Sequence, residues 1–241
     1  MQNNIFGTKV RDPQAMVTER ARFMSRVYGW MAMGLLTTGL IAFFIGTNDN
    51  LAISIARSRG LFWVLILAQF GSVIFLTAAI NKISSFTATM LYGLYAALTG
   101  VTFSTLFLIY THESIYQVFG LTSFAFAGLS AFGYFTKKDL GPVGSFCIMG
   151  LWGIIGLSLL SFFFPSLMGG QMSVVVSIIG LIVFSGLTAY DTQKIKDAYV
   201  DSSNGSQAVE KAAIFGALIL YLDFVNLFLY LLRFMGDSRR K

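Results

Sequence analysis

Long apolar runs dominate this sequence and leave it few ways to fold. Seven of them, at 27–46, 61–80, 86–110, 115–135, 143–164, 172–190 and 212–234, come close to the roughly 20 residues a helix needs to cross hydrocarbon. Backbone in lipid must satisfy its own hydrogen bonds, so such runs are helices or strands of a closed barrel. Barrel strands alternate apolar and polar residues; these runs do not, which leaves helices. The breaks between runs carry turn chemistry: "GTNDN" at 46–50, "NKISS" at 81–85, "TKKDLGP" at 136–142 and "PSLMGG" at 165–170. Charged residues are 12% of the chain, about half the share in a soluble domain. The expected class is therefore an all-α membrane protein. A single transmembrane domain spans 27–235, after a polar segment 1–26 and before a basic tail 236–241.

The net charge of +6 does not imply nucleic acid, because the basic residues flank the apolar runs as topology requires. With seven crossings, one side holds Lys9, Arg11, Arg20, Arg22, Arg26, Lys82, Lys137, Lys138, Lys194, Lys196 and Lys211. The other holds Arg57, Arg59, Arg233, Arg239, Arg240 and Lys241. The excess on the first side places the N-terminus in the cytoplasm. The basic tail disagrees: either it lies outside despite its charge, or the last run does not cross fully. The first run is expected to act as a signal anchor, and basic residues 15–26 suit a short helix on the cytoplasmic surface or a plain topology signal. Cys147 cannot form an internal disulfide and is expected to pack, as are Gly150, Gly153 and Gly156, since small residues let membrane helices approach.

Two carboxylates break the apolar pattern. Asp223 sits in the middle of "AAIFGALILYLDFVNLFLYLLRF", where an ionised Asp costs about 2.5–3.5 kcal/mol on insertion scales. Asn226 and Tyr230 follow it on the same helical face, so they are candidates to line a pore or support the carboxylate. Asp191, in "GLTAYDTQKIK", falls at the end of its run, where water and Lys194 offer a simpler explanation. The two lie on consecutive runs, and consecutive helices pack as antiparallel neighbours by default. Two such charges about 5 Å apart at an effective dielectric near 20 would repel by roughly 3 kcal/mol. A pair that meets therefore favours sharing one proton or binding a cation, which makes it a candidate pH sensor. Carboxylate oxygens suit Ca²⁺, which takes 6–8 oxygen ligands, so two residues would bind it weakly, as transit requires.

The stretch "GLTAYDTQKIK" followed by "LYLDFVNLFLYLLRF" resembles the signature of the Bax-inhibitor-type, or transmembrane Bax inhibitor motif, family. The likeness extends through "RVYGWMAMGLL", "LYAALTGVTFS" and "YFTKKDL", over nearly the whole chain, and points to a bacterial inner-membrane member. The resemblance implies seven helices, with the last central and the other six around it. It implies a pH-sensitive calcium leak gated by a di-aspartyl pair, here Asp191 and Asp223. The family also uses a basic counter-ion on its second helix. The run 61–80 has none, and Lys82 just beyond it is the nearest candidate. The expected partners are the bilayer, Ca²⁺ and H⁺, with no cofactor and no nucleic acid.

Other functions fit less well. Intramembrane aspartyl proteases also pair two Asp residues, one after a Tyr as in Tyr190–Asp191, but the glycines that open their second Asp to substrate are missing around Asp223. The lone histidine, His112, beside Glu113 in a polar break, argues against hydrolytic or metal chemistry. The last run has no Lys for a Schiff base. A proton-coupled transporter remains an alternative, because intramembrane Asp residues also serve proton relays. The expectation is that the protein is not an enzyme.

Overall fold

The computed structural model describes residues 13–164, 169–199 and 205–239. Residues 1–12 of the N-terminal segment, 165–168 of the fifth break and 240–241 of the tail lie outside the described residues. The elements are α1 (Pro13–Gly46), α2 (Asp49–Arg57), α3 (Arg59–Ala79), α4 (Ser85–Phe103), α5 (Leu106–Ile109), α6 (His112–Phe135), α7 (Gly141–Phe163), α8 (Gly170–Asp197) and α9 (Ser206–Met235). Among the described residues, seven stretches, with α4 and α5 counted together, are long and apolar enough to cross a membrane. The chain is a multi-pass, all-α membrane protein.

Local chemistry accounts for where the helices differ from the runs. Residues 15–26 are not a separate surface helix; they are the first turns of α1, and Phe23 and Met24 are buried beside Val27. The break after 46 contains α2, a short helix capped by the Asn48 side chain. Ser58 then ends α2 and caps α3, accepting from the Leu61 N–H. The third run is not one helix. Thr102, Ser104 and Thr105 hydroxyls donate to carbonyls three or four residues back, which competes with the helical ladder, and α4 gives way to α5 there. The sixth run continues past its apolar end to Asp197, so Asp191 lies inside α8, over a turn from its end.

The helix α9 is the core. In its most apolar window 67% of residues are buried, against 11% for α3. It packs against α1, α4, α6 and α8. The expected ring of six is in fact layered, with α3 leaning on α4 and α7 on α8. Lipid offers no hydrophobic drive for helices to associate, so close packing and buried hydrogen bonds must supply it. Ala213 and Ala217 on α9 are fully buried, and Gly216 lies against Val27 and Ile195. Gly133 of α6 sits on the Ala189 carbonyl of α8, and Gly180 of α8 sits under the Tyr230 ring of α9. Of the three glycines expected to pack in α7, Gly150 meets Val183, while Gly153 and Gly156 face open space. Cys147 is buried and packs on Gly186. Tyr221 packs edge-on against Tyr92 and Tyr95. Its hydroxyl lies 2.7 Å from Thr38 Oγ1, which itself donates to the Ala96 carbonyl at 2.8 Å. That joins α9, α1 and α4.

The bundle has two ends. One holds the start of α1, the α3–α4, α6–α7 and α8–α9 connections, and lysines 82, 137, 138, 194, 196 and 211. The other holds α2, α5 and the C-terminal tail. The tail is fastened there: Tyr110 and Ser238 form an antiparallel bridge, and Arg239 N–H donates to the Ile109 carbonyl at 2.7 Å. Asp237 N–H donates to Ser114 Oγ at 2.9 Å, and Arg239 approaches His112 and Asp49. The last helix therefore runs the full length of the bundle, and the tail lies at the end opposite the start of α1.

Candidate functional site

Four consecutive residues of α8 face four different neighbours. Tyr190 packs its ring on Gly144 of α7. Asp191 faces Asp223 of α9. Thr192, fully buried, lies 2.9 Å from Ser130 Oγ of α6. Gln193 holds the α6–α7 connection, accepting from Leu140 N–H and donating to the Lys138 carbonyl, each at 2.9 Å. Successive helical residues turn by about 100°, so this stretch is tied down on all sides.

The α8–α9 register explains how the two carboxylates meet. Along the antiparallel pair, Ser173 meets Arg233, Gly180 and Phe184 meet Tyr230, and Ile195 meets Gly216. In that register the middle of α9 lies level with the final third of α8. Asp191 and Asp223 come within hydrogen-bonding reach of each other. Asp223 is only 4% exposed, and its Oδ2 is buried with no hydrogen-bond donor. Two ionised carboxylates are acceptors only, so their contact is favourable only with a proton between them.

Asp191 is half-buried because a cleft of about 480 Å³ reaches it from the lysine-bearing end. The cleft lies among α1, the end of α3, α8 and α9, and Asp223 is not part of its lining. Lys194 and Lys211 line it, and Lys211 Nζ is 3.5 Å from the Asn81 carbonyl. Lys82 does not line it; that side chain is exposed in the α3–α4 connection. The cation that acts on Asp191 is Lys194, one turn along its own helix. Asn226 and Tyr230 share the α8-facing side of α9 with Asp223 but do not extend the pair. The Asn226 amide donates to its own helix at the Leu222 carbonyl, 2.8 Å away, and the Tyr230 ring stacks on Phe184. Among the described residues, no group of three or more His, Cys, Asp or Glu side chains could hold a metal ion.

The sequence reading missed the hydroxyl chain beside the pair. Thr192 donates to the Thr188 carbonyl at 2.7 Å, Ser130 lies 2.9 Å from Thr192, and Tyr28 lies 2.6 Å from Ser130. With Thr192 already donating, one direction satisfies every group: Tyr28 to Ser130 to Thr192 to carbonyl. The chain ties α1 and α6 to the turn of α8 that carries Asp191. Its members sit on three helices far apart in sequence, and single hydroxyls in apolar runs give no local signal.

The family model described as "Inhibitor of apoptosis-promoting Bax1" matches residues 20–240, which takes in α2 to α9, most of α1 and both Asp residues. The chain belongs to the Bax inhibitor family. A protein of Borreliella burgdorferi (strain B31) is 45% identical over 218 residues, covering 90% of this chain and 93% of its own. The inner membrane protein YbhL of Escherichia coli (strain K12) is 43% identical over 219 residues, covering 90% and 92%. A membrane protein of Streptococcus pyogenes serotype M3, SpyM3_0260, is 30% identical over 219 residues, covering 90% and 93%. As a Bax inhibitor family member the chain matches each of these bacterial proteins over 90% of its length.

Proposed function

We propose that this protein is a pH-sensitive calcium leak of the bacterial inner membrane, gated by Asp191 and Asp223. The observation that carries the reading is the contact of two carboxylates in the protein core, at the inner end of a cleft, with an Asp223 oxygen that has no donor. In the closed form the pair shares a proton and the cleft ends at Asp191. When the proton leaves, the charges repel by about 3–4 kcal/mol at an effective dielectric near 20, and the pair accepts a cation or separates. Ca²⁺ would be met by two carboxylates and by water, too few protein oxygens to hold it long. That suits passage. Ca²⁺ and H⁺ then compete for the same oxygens.

The N-terminus and the lysine-bearing end face the cytoplasm in this reading, supported by the distribution of Lys and Arg. The cleft is then a cytoplasmic vestibule, and the tail lies outside. Placement in the inner membrane is supported by the likeness to YbhL.

The deciding experiment is Ca²⁺ flux into liposomes across a pH series for the wild type, Asp191→Asn and Asp223→Asn. Wild-type flux should change with pH, and both variants should lose that dependence. Variants that leak with wild-type pH dependence would sink the di-aspartyl gate. Cleavage of a membrane-peptide substrate by wild type but not by Asp191→Ala would instead favour a protease.

A further inference from the structure

The gate needs neither Lys194 nor Lys211, although Lys194 acts on Asp191 from one turn away. They line the same cleft from different helices, and neither forms an ion pair with a described carboxylate within 4.0 Å. Lys194 lies over the Tyr190 ring, and Lys211 reaches the Asn81 carbonyl. Two ammonium groups around one cleft favour an anion. The rest of the wall favours something apolar: Ile80 from the end of α3, and Phe215 and Ile219 from α9, all half-buried. The lysines sit near the ends of their helices, where long stems reach the membrane surface. The apolar wall runs deeper along α9. The cleft also has a side towards lipid, because α3 packs on α4 and makes at most marginal contact with α8 or α9.

We propose that the cleft binds one anionic phospholipid, with its phosphate between Lys194 and Lys211 and the start of an acyl chain along Ile80, Phe215 and Ile219. Charge at the mouth, apolar surface below it and a gap between helices match the parts of such a lipid in their order along the membrane normal. The volume, about 480 Å³, is within the roughly 300–1,000 Å³ of small-molecule sites. Asp191 lies one turn deeper than Lys194 and would repel a phosphate that entered further, which keeps the headgroup at the lysines. A juxtamembrane lysine attracts an anionic lipid surface by an amount equivalent to about five-fold in affinity, so the two together contribute roughly 25–30-fold. A lipid seated there fills the vestibule of the proposed leak, so the lipid-bound form is a closed one; its binding needs no leak, and only the choice of the cytoplasmic leaflet rests on the proposed orientation.

Native mass spectrometry of the full chain, released from vesicles of equal phosphatidylglycerol and phosphatidylcholine, tests this. The wild type should retain one phosphatidylglycerol in preference to phosphatidylcholine. The Lys194→Gln/Lys211→Gln variant should lose roughly 25–30-fold in that preference, and Lys194→Arg/Lys211→Arg should keep it. Lys137→Gln/Lys138→Gln removes the same charge from the same end of the bundle and should leave retention unchanged. Three results overturn the proposal: no preference for the anionic lipid, an equal loss in both glutamine variants, or displacement of the lipid by inorganic phosphate, which would mark a soluble-phosphate site. None of these readouts involves flux, so failure here and failure of the gate are distinguishable.

Discussion

Replacing Asp223 by Asn tests the central contact with one atom. The substitution leaves shape and burial nearly unchanged but turns an acceptor into a donor. In the wild type the Asp223 Oδ2 is buried without a donor and the neighbouring group is another carboxylate, so the contact needs a shared proton. In Asp223→Asn the amide donates to Asp191 directly, and Asp191 can stay ionised because it lines the cleft and is not fully buried. A hydrogen bond to a charged group is worth about 1.5–3 kcal/mol, and the avoided repulsion is about 3–4 kcal/mol at an effective dielectric near 20. Part of the repulsion is relieved in the wild type by movement or by a bound cation, so a net gain of about 2–3 kcal/mol is expected once the shared proton has left. For a protein of this size that is roughly 4–12 °C in apparent melting temperature. Thermal unfolding in detergent, followed from acid to alkali without Ca²⁺, should show the wild type and variant close together in acid. They should diverge as pH rises, the wild type falling and the variant flat. If both fall in parallel, the pair does not share a proton and the gate loses its physical basis.

Ca²⁺ binding to the wild type should weaken as pH is lowered, because proton and ion compete for the same oxygens, and calorimetry across a pH series would show it. Gly133→Ala should destabilise by at least about 1–3 kcal/mol, since its methyl meets the Ala189 backbone, which has no room to yield. Gly153→Ala, facing open space, should be neutral or gain up to about 1 kcal/mol of helix propensity; melting temperatures of the two variants compare them. Ser130→Ala should cost about 1–3 kcal/mol by removing the acceptor of the Tyr28 hydroxyl, while Thr192 keeps the Thr188 carbonyl. Tyr28→Phe in that background should then cost much less than alone, and a double-mutant cycle in thermal stability measures the coupling.

Much of the site was legible because hydrocarbon is an unforgiving solvent. Seven apolar runs had to be helices, and Asp223 had to be buried with a partner, since a carboxylate in mid-span has no cheap alternative. Asp191 was harder to place. By sequence it ended a run beside a lysine, and an apolar window cannot show that α8 continues through it to Asp197. Lys82 was the candidate just beyond the end of the second run, yet the lysines that line the cleft come from α8 and α9.

The sequence by itself determined the class, the number of crossings and the residue that most needed explaining, because each follows from the transfer of single segments into lipid. Tertiary structure decided what depends on two segments at once. It decided the register that brings Asp191 level with Asp223, the cleft that reaches one and not the other, and the hydroxyls of Tyr28, Ser130 and Thr192 that tie three helices beside them. It also separated Gly150, which packs, from Gly153 and Gly156, which do not. Helix periodicity says which residues share a face; only the neighbouring helix says what that face meets.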